Sequence, residues 1–139
     1  MTTSRSGHEA AVMTPVEGWA ALDAVVRERA RQDAKWGEQN HPIVRPEPQH
    51  GYALPCIEAD RLNLPSAREA RELCDREHKA CRGTYTHILV EEVAEMVEAA
   101  VLHGETSDEL RAEEVQVAAV ALAIVERIDR ARAAKGGGR

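Results

Sequence analysis

The feature that most constrains the fold is a run of nine residues, 117–125, that contains only Ala, Val, Leu and Ile. Capping residues at 106–109 and helical patterning to about residue 134 place this run within one helix. A helix that is apolar on every side is normally buried among other elements. The run is too short to cross a bilayer, which takes about 18 apolar residues or more. We therefore expect a central helix in an all-α fold.

Helix-start and helix-stop signals divide the chain into four predicted helices. The signals are capping boxes, a Pro at a first helical position and a Gly after a last turn. With their capping residues, the predicted helices cover residues 14–36, 66–81, 84–103 and 106–134. We expect one all-α domain over 14–134, between disordered tails at 1–13 and 135–139. Four helices are too few to bury the last one in a monomer, so we also expect a homodimer or tetramer.

The segment between the first two predicted helices is rich in proline. Residues 37–65 hold five of the six prolines and show no sustained periodicity. The sequence predicts an irregular loop. Loops of this length in small domains are usually either disordered or functional, and the functional form expected here is a flap over a site.

Charge and cysteine content narrow the class of protein. Lys and Arg total 18 against 24 for Asp and Glu, which gives a net charge of −6 and argues against binding to a nucleic acid polymer. The first 13 residues lack a continuous apolar segment of the kind that directs secretion. An odd number of cysteines, three, fits a reducing compartment. We expect a cytoplasmic protein with no membrane partner.

Three glutamates fall on the apolar sides of two successive predicted helices. On a helical wheel, Glu92 lies inside the apolar arc of the third helix and Glu95 lies at its edge. Glu113 shares its face of the fourth helix with Val117 and Val120. A short turn joins the two helices, so the acidic patches face each other in an antiparallel pair. This pattern predicts a site for a hard divalent cation such as Mg²⁺ or Mn²⁺.

Other interpretations of the charged residues compete with a metal site. The glutamates can instead form ordinary salt bridges at the margin of the bundle, for which the sequence offers Arg27, Arg29, Arg31 or Arg82. Glu126 and Asp129 have a similar spacing to the acidic pattern, but we expect them in a solvated final turn. The set Cys74, His78 and Cys81 resembles zinc ligands only superficially, because its two thiols lie about two helical turns apart.

The acidic pattern resembles the MazG-like branch of the all-α nucleoside triphosphate pyrophosphohydrolases. That family carries E-E-x-x-E on one helix and E-x-x-D on the next, and this chain has EEVAE at 91–95 and EEVQ at 113–116. Gln116 stands where the family has an acidic residue. The segment ERARQDAKWG at 28–37 is similar to the first helix of actinobacterial and phage members. The likeness covers about residues 25–41 and 84–130.

The resemblance implies a four-helix MazG-like bundle that cleaves a nucleoside triphosphate between its α and β phosphates. The products are a nucleoside monophosphate and pyrophosphate, and Mg²⁺ or Mn²⁺ is the cofactor. Carried over by position, the metal ligands are Glu92, Glu95, Glu113 and Gln116. Glu91 and Glu92 become the catalytic carboxylates, Glu91 as a further ligand or as the base that orients water.

The end of the first predicted helix supplies candidate substrate contacts. A base can stack on the indole of Trp36 while the Lys35 ammonium meets a phosphate, and Asp33 is a weaker candidate for the ribose or the metal. The alternative is that Trp36 only packs in the core. For the whole chain, two alternatives stay open. One is a nucleotide-binding or regulatory protein weakened by Gln116, and the other is a purely structural oligomerisation module.

Overall fold

The computed structural model describes residues 15–44 and 55–137. Every regular element in these ranges is a helix, which confirms the all-α class. The chain divides into two compact units, residues 1–37 and 38–139. The five helices are α1 Pro15–Trp36 in the first unit, and α2 Pro55–Arg61, α3 Ala67–Lys79, α4 Tyr85–His103 and α5 Asp108–Gly136 in the second.

Capping side chains set the starts of the three longest helices of the second unit. The Ser66 hydroxyl accepts the backbone N–H of Glu69 at 3.2 Å, and the Ser107 hydroxyl accepts the N–H of Leu110 at 3.1 Å. Thr84 forms a reciprocal capping box with His87. Each bond satisfies a backbone donor that the first helical turn leaves unpaired.

Helix ends follow the predicted stops with two exceptions. Gly104 ends α4 with φ 88°, a backbone conformation that favours glycine. Helix α3 ends at Lys79, before the predicted end at Cys81, and Cys81 itself adopts the left-handed conformation with φ 59°. Helix α5 continues past its predicted end, to Gly136. The predicted tail 1–13 lies outside the described residues, as do residues 138–139.

The prediction that residues 37–65 are irregular throughout is wrong, because α2 occupies Pro55–Arg61. Proline is tolerated in a first helical turn, where its missing N–H has no partner to lose. Seven residues are too few to show a periodic pattern, and short helices gain most of their stability from packing. Helix α2 packs against α4 and buries Ala59. The predicted count of four helices therefore becomes five, and residues 45–54 lie outside the described ranges.

Helix α4 is the central element of the second unit, because α2, α3 and α5 all pack against it. Small residues dominate the contacts and let the helix axes approach closely. Ala94 meets two alanines of α3, and Ala99 and Ala100 meet Leu110 of α5. The close fit of these small side chains fixes the relative positions of α3, α4 and α5.

The expectation that α5 is the buried helix is not met within the single chain. Leu110 is its one buried residue, and Val115 is 53% exposed. The apolar run 117–125 is half-buried or exposed along its length. The sequence pattern shows that a face is apolar but does not show which neighbour covers it. No helix in the described part of the chain has the length and hydropathy that crossing a membrane requires.

The capping role of Ser107 gives a stability prediction. We expect Ser107→Ala to lower the free energy of unfolding by about 1 kcal/mol, since the N–H of Leu110 loses its acceptor. Urea denaturation measures the change. Thr106→Ala, at the exposed neighbouring position, is the control and should change stability by less than about 0.5 kcal/mol. Equal losses in the two variants would show that Ser107 is not the cap.

Candidate metal centre

The structure brings together the three glutamates that the sequence predicted to converge. One carboxylate oxygen from each of Glu92, Glu95 and Glu113 lies within 4.8 Å of the other two, and all three residues are half-buried. Within residues 15–44 and 55–137, no other group of three or more His, Cys, Asp or Glu side chains converges in this way. We call Glu92, Glu95 and Glu113 the three-glutamate centre.

Helix geometry explains the convergence. Glu92 and Glu95 are three residues apart on α4, so they lie about one turn apart on the same side of the helix. The turn at 104–107 reverses the chain, and α5 packs back along α4. The contact of Ala99 and Ala100 with Leu110 sets the register of the two helices. Residue 113 is one turn after Leu110, so this apolar contact positions its carboxylate opposite α4.

Burial and mutual repulsion make the three-glutamate centre unfavourable as three bare anions. Burial raises the pKa of Glu92, and the charges of Glu95, Glu113 and Glu91 raise it further. Burial also raises the pKa of Glu113; the charge of Glu95 adds to this, while the nearby Arg71 opposes it. These directions show that the site lacks enough positive charge to balance its carboxylates.

Arg71 of α3 is the residue that the sequence analysis missed. Its Nε donates to Glu95 Oε1 at 2.8 Å, and this hydrogen bond is the main cause that raises the pKa of Arg71. The two residues are 24 positions apart, on helices α3 and α4. No spacing rule within one helix could reveal the pair, because it depends on how the two helices pack.

The alternative interpretation paired the glutamates with four arginines that, in the structure, do not form ion pairs with them. In the structure these four arginines bind other acids close to them in sequence. The pairs are Arg27 with Asp23, Arg29 with Asp33, Arg31 with Glu28 and Arg82 with Glu77. Of the three glutamates of the centre, Glu95 has an ion pair among the described residues, and its partner is Arg71.

An open cleft of about 260 Å³ gives access to the centre. Arg71, Glu95 and Glu113 line it, together with Glu98 and the last turn of α4 at His103. A cation held at the edge of such a cleft keeps coordination positions open for water or for substrate oxygens, which is how Mg²⁺ is usually bound.

The remaining two residues of the predicted metal and catalytic set are not members of the three-glutamate centre. Glu91 is not a member of the group, and its side chain interacts with the Cys74 thiol of α3. Burial, together with the bond and charge of Glu91, raises the pKa of Cys74 to about 11, so this thiol is not an activated nucleophile. Gln116 is exposed on α5.

The predicted substrate residues belong to the unit 1–37, whereas the glutamates belong to the unit 38–139. Lys35 Nζ lies 4.6 Å from the centroid of the Trp36 ring. The Trp36 side chain is not a core residue, because Trp36 is 51% exposed. Asp33 is paired with Arg29 at 2.8 Å.

The other motifs do not form sites in the described residues. Cys74 Sγ lies 3.5 Å from His78 Nδ1, but Cys81 is exposed and belongs to no metal-binding group. The expectation that Glu126 is solvated is wrong, because it is half-buried and its Oε1 has no hydrogen-bond partner among the described residues. Asp129 is exposed as expected.

Comparison of the chain with known protein families, with curated proteins and with solved structures finds no match. The chemistry of the centre is defined by its own donors, which are three carboxylates with no nitrogen or sulfur ligand in the group. Such a set favours the hard cations Mg²⁺ and Mn²⁺ over softer metals. The carboxylates fit a divalent ion, since burial and neighbouring charges raise the pKa of Glu92 and a bound cation favours its ionised form.

The raised pKa of Glu92 predicts a pH-dependent stability in divalent-free buffer. A carboxyl group whose pKa is higher in the folded than in the unfolded protein stabilises the fold at low pH, and this stability is lost as the pH rises through the folded pKa. We therefore expect Glu92→Gln to raise Tm by about 2–4 °C at pH 7 and to have little effect near pH 4. Thermal denaturation at the two pH values in EDTA measures this.

Glu114→Gln, which removes a charge from α5 outside the centre, is the control and should leave Tm nearly unchanged at both pH values. A Glu92→Gln protein that is less stable than wild type at pH 7 in EDTA would show that the ionised carboxylate is already compensated within the fold.

Proposed function

We propose that this chain is a metal-dependent nucleoside triphosphate pyrophosphohydrolase that acts on a ribo- or deoxyribonucleotide in the cytoplasm. The observation that carries the proposal is the convergence of Glu92, Glu95 and Glu113 within 4.8 Å, with Glu95 and Glu113 lining an open cleft. The resemblance of EEVAE at 91–95, which contains Glu92 and Glu95, to the E-E-x-x-E motif of MazG-like enzymes also supports it.

The three carboxylates would hold Mg²⁺ or Mn²⁺ between α4 and α5. A divalent cation in such a site neutralises the triphosphate, orients it and lowers the pKa of a bound water. Burial raises the pKa of Glu92, and a partly buried carboxylate interacts more strongly with a cation than an exposed one does.

Glu91 is the proposed base that orients the attacking water. Its side chain interacts with the Cys74 thiol, and its charge also acts on Glu92 of the centre. A base of this kind acts on turnover and not on metal affinity. Glu91→Gln should therefore lower turnover without changing metal affinity, which separates the proposed base in the E-E-x-x-E segment from the proposed metal ligands.

Substrate contacts from the first unit are part of the proposal. The half-exposed indole of Trp36 is a proposed stacking partner for a base, and the Lys35 ammonium over its ring is a proposed contact for a phosphate. Asp33 is the weaker third candidate, because Arg29 already pairs with it. The exposed apolar residues of α5, such as Val115 and Ile128, support a homodimer or tetramer as the working form.

A second candidate function is nucleotide binding without turnover. The observation that favours it is Gln116, which stands at the position of the family's last acidic residue and is exposed. A neutral amide oxygen provides less charge to a metal than a carboxylate does. In this alternative, calorimetry detects nucleotide binding, but no pyrophosphate forms.

A product assay tests the enzyme directly. The chain is incubated with each common NTP and dNTP and with Mg²⁺ or Mn²⁺, and pyrophosphate is measured separately from orthophosphate. We expect pyrophosphate with at least one nucleotide. Glu95→Gln should reduce its formation on the order of 100-fold or more, because loss of a ligand costs at least as much as loss of a residue that supports one.

The matched control is Glu114→Gln on α5, which should retain most of the wild-type rate. If a nucleotide binds but no pyrophosphate forms with any nucleotide or either metal, the result contradicts the enzyme and supports the nucleotide-binding protein. Release of orthophosphate alone would contradict cleavage between the α and β phosphates.

Gln116 gives a gain-of-function prediction. We expect Gln116→Asp to tighten Mn²⁺ binding, since one added charge near a divalent ion contributes about 1 kcal/mol or roughly fivefold in affinity even at high dielectric. Titration calorimetry with Mn²⁺ measures the effect. Glu114→Asp, a change at a neighbouring position with no change of charge, should leave the affinity unaltered. Unchanged binding by Gln116→Asp would show that position 116 does not contribute to the site.

A further inference from the structure

We propose that Arg71 is the phosphate-binding residue of the three-glutamate centre, and that it binds a phosphate group only when a divalent cation occupies the centre. This inference rests on the proposed function and adds to it a residue of α3, a helix that the resemblance does not cover. The ligand that we assign to Arg71 is the polyphosphate part of the substrate.

The first observation is the free donor capacity of Arg71. Its Nε is bonded to Glu95, and its two terminal amino groups have no bond to any described residue. The side chain is 49% exposed and lines the cleft beside Glu95 and Glu113. A guanidinium anchored through Nε presents two amino groups in a fixed plane, which is the geometry that recognises phosphate oxygens in pairs.

The second observation is that Arg71 differs from its neighbours on α3. Arg68 pairs with Glu72 at 3.1 Å, and Arg76 lies 3.9 Å from Glu77, so both contact acids of their own helix. Arg71 instead reaches across to α4. A half-exposed ion pair of this kind contributes little to stability, so holding α3 against α4 does not account for its position.

Charge explains why the cation must bind before the phosphate. Glu95, Glu98 and Glu91 all surround Arg71 with negative charge, and their fields raise its pKa. The three carboxylates of the centre outnumber the one guanidinium, and Glu98 and Glu91 add further negative charge, so an incoming phosphate is repelled. A divalent cation in the centre lowers this excess by two charges. Glu95 has two oxygens, so its bond to Arg71 leaves the other oxygen for the cation.

Titration calorimetry on the full chain tests the inference with two probes, Mn²⁺ alone and tripolyphosphate. Tripolyphosphate is titrated once in Mg²⁺ buffer and once in EDTA. The variants are Arg71→Ala, Arg71→Lys and the control Arg68→Ala, which removes a charge from the same helix one turn earlier. Thermal denaturation verifies that each variant is folded.

For wild type we expect tripolyphosphate to bind in Mg²⁺ buffer and at least about tenfold more weakly in EDTA. Arg71→Ala should lose about tenfold in affinity for tripolyphosphate in Mg²⁺ buffer, the usual effect of one charge-assisted hydrogen bond. Its affinity for Mn²⁺ alone should be unchanged or higher, because a competing positive charge is gone. Arg71→Lys should lose less than Arg71→Ala, and Arg68→Ala should match wild type.

Two results would overturn this inference and leave the proposed metal-dependent function intact. In the first, wild type binds Mn²⁺ and Arg71→Ala binds tripolyphosphate as tightly as wild type. In the second, Arg71→Ala weakens Mn²⁺ and tripolyphosphate binding together, which means that Arg71 only supports the fold of the centre. If Arg71→Ala does not fold, Arg71→Lys decides, and wild-type tripolyphosphate affinity in that variant overturns the inference. Failure of wild type to bind Mn²⁺ at all overturns both this inference and the proposed metal-dependent function.

Discussion

Repulsion among three half-buried carboxylates is the interaction on which the account of this protein depends. The fold creates this repulsion through an apolar contact, because the packing of Ala99 and Ala100 against Leu110 fixes α5 on α4 and so places Glu113 against Glu95. Burial and neighbouring charge raise the pKa of Glu92 and Glu113. Grouped carboxylates of this kind destabilise a fold unless positive charge compensates them, so their arrangement is expected where a cation is bound.

The compensation within the chain is incomplete, and this gives the site its chemical character. Arg71 supplies one positive charge through its bond to Glu95, and it stays half exposed at the cleft. A single guanidinium cannot balance three carboxylates. A divalent ion would neutralise the remaining negative charge, and the carboxylate oxygens would coordinate it. The same guanidinium lines the cleft beside Glu95 and Glu113, and on our proposal it links cation binding to recognition of a phosphate group.

Much of the fold and part of the site could be predicted from sequence because they depend on local rules. The caps at Thr84 and Ser107 predict where α4 and α5 begin, and helical periodicity alone places three glutamates on facing sides. Helix α2 was missed because seven residues carry no periodic signal. The pairing of Arg71 with Glu95 was missed because it depends on the packing of two helices, and the central role of α4 was missed for the same reason.

The central claim is that the three-glutamate centre binds a divalent cation, and anomalous diffraction from crystals grown with Mn²⁺ tests it most directly. We predict an anomalous peak between α4 and α5, with a carboxylate oxygen of each of Glu92, Glu95 and Glu113 at about 2.1–2.3 Å from the ion. A map at high Mn²⁺ concentration with no peak there, and with Glu92 and Glu113 directed into solvent away from each other, would contradict the claim.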